Sequence, residues 1–204
     1  MRTILYLIIA IIGNAFGTAL MSNSSLGMTA WGSSASNVGS FFHLSIGLGF
    51  IILSVLFYGL SCIIRKKIYV IEMIESTIFL LSFSYLADVF INLLPSFTSY
   101  HMGYRVLINI GGMLILLFSI AVHIRLHRFV HPMDIFLYTI QQKLKSISKG
   151  TYLAYFIGFS IAIVFGLLDG EIKDIGFGTL MTLLSSGLVM KYYNKWILDK
   201  WKFD

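Results

Sequence analysis

Between Thr3 and Ile64 the chain carries no Lys, Arg, Asp or Glu. Two strongly apolar runs lie in that stretch, and others of similar length follow it. Runs near 20 residues match a helix crossing a hydrocarbon core about 30 Å thick. Composition agrees: 12% of residues are charged and 57% hydrophobic, where soluble domains carry about 25% charge. The reading is an integral membrane protein. MRTILYLIIAIIG has the make-up of a signal peptide, but further apolar segments follow, so it is expected to be the first of several spans. The single Cys62 excludes an internal disulfide and a Cys-based metal site. The net charge of +6 has to be read against membrane topology, and no nucleic-acid partner is expected.

Six segments are long and apolar enough to cross: 3–21, 47–64, 70–94, 105–124, 151–168 and 175–194. Two weaker ones, 28–44 and 131–144, are shorter or more polar. With six crossings, 13 of the 15 basic residues fall on one side, from Arg2 and the Arg65-Lys66-Lys67 cluster to Lys200 and Lys202. Only Arg105 and Lys173 fall on the other. Positive charge accumulates on the cytoplasmic side, so both termini are expected there. Loops 95–104 and 169–174 are then outside, the second with Asp169, Glu171 and Asp174.

The halves resemble each other at an offset of 102: FGTAL at 16–20 meets FSIAV at 118–122, and Ala30-Trp31-Gly32 meets Pro132-Met133-Asp134. At an offset of 103, Ser45-Ile46-Gly47 meets Ser148-Lys149-Gly150, and Ser84 meets Gly187. Each half reads span, weak segment, span, span. Three crossings per half invert the second copy, a recurring transporter plan. The expected fold is therefore all-α: a polytopic membrane helix bundle of six spans plus two short re-entrant or broken segments, in an inverted 3+3 repeat. The first repeat is 1–103 and the second 104–204. SSLGMTAWGSSASNVGS, residues 24–40, has six Ser, three Gly and no charge. It is expected to dip in from outside and pack near 131–140, with Gly32 and Ser33 where another backbone comes close. Irregular backbone at membrane depth must be buried in protein or line a wet cavity. The alternative is an outer loop followed by an interfacial helix.

Phe16-Gly17-Thr18-Ala19-Leu20, followed by Leu26-Gly27-Met28-Thr29-Ala30-Trp31-Gly32, is similar to the L-G-x-S-P-W-D pattern of the YitT/YczE-like family of bacterial multi-pass membrane proteins. Phe129-Val130-His131-Pro132-Met133-Asp134 repeats it weakly. Gly176-Phe177-Gly178-Thr179-Leu180, with Gly187, resembles that family's G-x-G-T-L…G ending. Ala30 and Gly32 stand where the family has Pro and Asp, and Glu75 where it has Gly. The resemblance implies a bacterial cell-membrane protein and a transport or export role.

No nucleophile motif and no phosphate-binding Gly loop occurs, so neither catalysis nor a cofactor is expected. His123, His127 and His131 recur every four residues, as ligands on one helix face would. With Arg125, Arg128 and Pro132 among them, a basic stretch at lipid headgroups is preferred and no metal is expected. The polar residues within or beside spans are the candidates to line a cavity: Asn14, Trp31, Ser33, Asn37, Asp88, Asn109 and Asp134. Asp88 falls near the outer end of its span, where simple solvation is as good a reading. Glu72 and Glu75 open that span beside a basic cluster and are read as dipole and topology devices.

Two functions of different class fit. One is a small-molecule transporter or exporter of unknown substrate, alone or as a homodimer in the bilayer. The other is a substrate-capture subunit of an energy-coupling-factor transporter, suggested by size and by Ala15-x-x-x-Ala19. A membrane scaffold without ligand is a third.

Overall fold

The computed structural model describes residues 2–126 and 128–201, without the side chains of Arg2, Ile147 and Ser148. His127 and Lys202 lie outside the described residues. Among the described residues the chain is all α, with no strand. It has eight helices: α1 (Arg2–Ser24), α2 (Ala30–Phe41), α3 (Ile46–Arg65), α4 (Val70–Leu93), α5 (Met102–Leu126), α6 (Pro132–Lys143), α7 (Ile147–Asp169) and α8 (Phe177–Trp196), then a 3₁₀ turn at Leu198–Lys200. Five are long and apolar enough to cross a membrane: α1, α3, α4, α5 and α7. The order long, short, long, long occurs twice.

Local chemistry sets the ends. Thr29 caps α2 by accepting from Gly32 N, and Ser45 caps α3 by accepting from Leu48 N. Pro132 opens α6, where its missing N–H costs nothing. Leu94, ahead of Pro95, is extended and ends α4. Gly170 closes α7 in the left-handed region at φ 86°. The turns before the short helices also use that region, at Gly27 (φ 103°) and Phe129 (φ 57°). So do the turns after them, at His43 (φ 54°) and Lys145 (φ 50°). Each pair is 102 residues apart, as are the two caps Thr29 and His131.

α1 and α5 form the central pair. Their contact is built on small residues: a Cβ on Gly17 would lie 2.6 Å from Gly112 O. A Cβ on Gly112 would lie 2.9 Å from Gly17 O. Close backbone approach of this kind is how membrane helices associate. Ala10, Ala15 and Ala19 are fully buried inside the chain. The small-residue stripe of α1 is thus consumed by internal packing. α4 flanks α1 and also packs on α3, while α8 flanks α5. α2 and α6 lie on opposite ends of α3 and α7.

One expectation fails here. Residues 28–40 do not pack on 131–140; α2 packs on α7 and α3, and α6 on those same two helices. Gly32 is accordingly not a backbone crossing. A Cβ there would meet the Met28 side chain at 3.0 and 3.1 Å and Thr29 Oγ1 at 3.2 Å, all from its own turn. The close approaches fall instead at Gly39, against Ser45 O at 2.7 Å, and at Gly166, against Asn37 Oδ1 at 2.6 Å.

Candidate functional site

The two short helices start deep in the bundle and run to opposite ends of it. Trp31 lies against Gly158, halfway along α7, and meets the Phe57 ring edge-on at 5.0 Å, halfway along α3. Ser34 Oγ donates to Gly158 O at 2.6 Å. Ser40, at the other end of α2, donates to Asp169 Oδ2, where α7 finishes. α2 therefore runs from the middle of α7 to its C-terminal end. α6 runs the other way. His131 packs beside Phe50 and Phe83, the Phe136 ring meets Phe57 at a tilt with centroids 4.7 Å apart, and Gln141 donates to Thr151 Oγ1, where α7 begins.

The N-termini of both helices reach one cavity of about 1340 Å³. Thr29, Ala30 and Trp31 come to it from α2, and His131, Met133 and Asp134 from α6. Asn14 and Thr18 of α1 and Thr182 of α8 add polar groups. Leucines of α5 and α8 and aromatic rings of α7 make the rest of the wall chiefly apolar. Among the described residues no Lys or Arg lines it, and Asp134 is its only acid. Among the described residues the Asp134 carboxylate has no hydrogen-bond or ion-pair partner. Tyr138, one helical turn on, and Tyr155 of α7 lie within its electrostatic reach. α7 and α8 both wall the cavity without packing along each other.

Each helix start is already capped. Thr29 Oγ1 accepts from Gly32 N at 3.0 Å, and His131 Nδ1 accepts from Met133 N at 3.3 Å. His131 N in turn donates to His123 Nε2 at 3.2 Å. This replaces the headgroup reading of the histidines. α5 ends at Leu126, so His123 and His131 do not share a helix. Both are buried among the rings of Phe79 and Phe83. Among the described residues no cluster of metal-ligating side chains forms. The arginines of this stretch reach outward: Arg128 pairs with Glu75, and Arg125 with Asp199.

Of the seven candidates, Asn14, Trp31 and Asp134 line the cavity together. The other four are engaged elsewhere. Ser33 Oγ donates to Asp174 O at 2.6 Å. Asn37 Nδ2 donates to Lys173 O at 2.7 Å, and its Oδ1 accepts from Lys173 N at 2.9 Å. These bonds tie α2 to the loop between α7 and α8. Ser36 adds one to the Asp174 carboxylate. Burial pushes that carboxyl up from its usual range, while the Ser36 hydroxyl and the Lys173 charge pull it back. Asp88 accepts from Ser45 Oγ at 2.5 Å and from Gly47 N at 2.8 Å, so it caps α3 from α4. Asn109 donates to Ser24 Oγ and to Gly27 O, both at 2.9 Å, fixing the turn after α1 onto α5. Glu72 forms a two-bond pair with Arg65 at 3.0 and 2.8 Å.

Sequence reasoning missed Thr29 and His131 as matched caps, although both begin a weak segment at the 102-residue offset. It also missed Leu180, Leu184 and Leu188, whose spacing of four puts them on one face of α8. A family model described as "Family of unknown function (DUF6198)" matches residues 1–195. No curated protein and no solved structure matches the chain.

Proposed function

We propose, since the chain belongs to the DUF6198 family and that family's function is unknown, a role read from the site: a bacterial cell-membrane carrier for a small molecule. In this reading α8 is the sixth span, both termini are cytoplasmic, and α2 and α6 are re-entrant half-helices. Residues 1–103 and 104–204 are inverted copies. The paired caps and paired left-handed turns at a constant offset support that symmetry, as does the repeated order of long and short helices. The resemblance to YitT/YczE-like proteins belongs to the same proposal, because its two pattern copies end at the two half-helix starts.

One observation carries the reading. Two half-helices begin at a shared central cavity that holds an unpaired carboxylate. Ionisable groups inside a membrane are costly and serve substrate or ion pathways by default. Broken helices meeting near the bilayer midplane are the recurrent site of secondary carriers. A scaffold would have no use for such a cavity. The capture-subunit alternative loses its motivating stripe, because Ala15 and Ala19 are fully buried inside the chain.

Two experiments test this. Purified protein in proteoliposomes should move a screened substrate, and Asp134→Asn should lower that flux by about tenfold or more. Full flux in the variant would remove Asp134 from the pathway, and no flux of any substrate from a folded sample would remove the transport reading. For topology, Cys62 is replaced and single cysteines are placed at the exposed positions Ser96 and Glu171. An impermeant reagent should label both in intact cells. Protection of both would overturn the orientation.

A further inference from the structure

We propose that the cavity takes an amphiphilic organic cation, its charged head against Asp134 and its apolar body in the gap between α7 and α8. This adds a substrate class to the transport reading and rests on it. Three features of the cavity converge.

The first is charge. The lining has one carboxylate and no Lys or Arg. The positive ends of the two half-helices could attract an anion in principle. Here Gly32 N and Met133 N are already served by the Thr29 and His131 side chains. An anion would meet neutral donors at best, no cationic side chain and one repelling acid. A cation would find the reverse. A carboxylate in a low-dielectric site gains most from a partner of opposite sign.

The second is the aromatic wall. Trp31, Tyr138 and Tyr155 line the cavity together with Asp134, the Trp31 and Tyr155 ring centroids 6.5 Å apart. Ring faces attract an organic cation, most of all when it is shielded from water. They give a small inorganic ion little in place of its hydration shell.

The third is access. On α8, Leu184 and Leu188 line the cavity yet are 70% and 73% exposed. On α7, Tyr152 and Phe156 do the same at 76% and 69%. A wall that is both lining and exposed is the edge of an opening. Those edges are apolar and belong to two helices that do not pack together, so the opening faces lipid. A molecule already dissolved in the bilayer can enter sideways with its apolar body leading. A fully hydrophilic solute would lose its water against leucine side chains, which is costly.

The test uses two ions of the same shape and opposite sign, tetraphenylphosphonium and tetraphenylborate. Full-length protein in zwitterionic nanodiscs is compared with empty nanodiscs by equilibrium dialysis, and only saturable, protein-dependent binding counts. The phosphonium should bind about tenfold or more tightly than the borate. Asp134→Asn should erase that preference. Leu184→Trp, at the opening, should weaken both ions without restoring a preference for the borate. Equal binding of the two ions to the unaltered protein, or tighter binding of the borate, overturns the proposal. So does an intact preference in Asp134→Asn. Should that variant fail to fold, the ion pair on the unaltered protein, with Leu184→Trp, decides alone. Flux of a hydrophilic solute without phosphonium binding would keep the carrier and sink the cation. Phosphonium binding without any flux would do the opposite.

Discussion

Gly17→Leu should melt well below the parent protein. The new Cβ alone would lie 2.6 Å from Gly112 O and 2.8 Å from Leu116 N. These are backbone atoms of α5, and neither can turn aside as a side-chain end could. Overpacking a tight contact costs about 1–3 kcal/mol and more where nothing yields. A loss of about 3 kcal/mol lowers the melting temperature of a chain this size by roughly 6–12 °C. Gly59→Leu is the control. Gly59 is exposed on α3 and a Cβ there meets nothing within 4 Å. Leaving Gly in a helix interior gains up to about 1 kcal/mol, so this variant should be neutral or slightly stabilised. Thermal unfolding of both in detergent checks the order. Similar melting of the two would mean that α1 and α5 do not meet backbone to backbone.

Asn37→Leu should be nearly as damaging, for a different reason. The Asn37 amide serves both backbone groups of Lys173, donating to its carbonyl and accepting from its N–H. Leucine is of similar size but can do neither. A buried donor or acceptor left without a partner costs about 1–3 kcal/mol, and here two part-buried groups share that fate, so the loss is about 1–3 kcal/mol in all. Ser36→Ala removes one bond to a carboxylate that is partly exposed, and should cost about 1 kcal/mol. In Asn37→Leu the loop between α7 and α8 should also loosen, so a cysteine at Glu171 should react with a bulky reagent faster than in the parent. Unchanged melting and unchanged labelling would show that the loop is held by other means.

Much of the fold is visible in the sequence, because apolar length and basic charge are direct physical constraints on a membrane chain. The expected spans lie inside α1, α3, α5 and α7, 70–94 runs one residue past the end of α4, and 175–194 overlaps α8. Their ends move by a few residues where a cap intervenes, as at Ser45 for α3 and Gly170 for α7. α8 has a run of Lys191 and Lys195 in its last turns, which keeps it below the hydropathy of the other five. The site was less visible. Polarity can be read from a sequence, but direction cannot. Ten consecutive residues of α2, Ala30 to Gly39, are buried, so no face is marked as the one toward a cavity. Trp31 points one way and Ser33 and Asn37 another, and only the docking of the loop at Lys173 and Asp174 explains the difference. Asp88 misled in the same way. It serves the start of a helix 41 residues earlier in the chain, a partner that no local pattern announces. The histidines were misread because Arg125 and Arg128 among them suggested a headgroup surface, whereas the chain turns after α5 and His123 and His131 are buried.

The glycine contact at the centre has a mechanical meaning as well. Where two helices meet through side chains, rotamers can change and one helix can slide on the other. Where Gly17 faces Gly112, no side chain lies between the backbones and there is nothing to rearrange. α1 and α5 therefore behave as a single stiff axle. α8 packs on that axle through Met113, Leu116 and Leu117 against Met181, Val189 and Met190, and the three Met of this set are flexible and unbranched. α7, which shares the cavity wall with it, is not packed along it. A hinge lies where stiffness gives way to soft contacts, and in this molecule that boundary runs along the seam of α5 and α8.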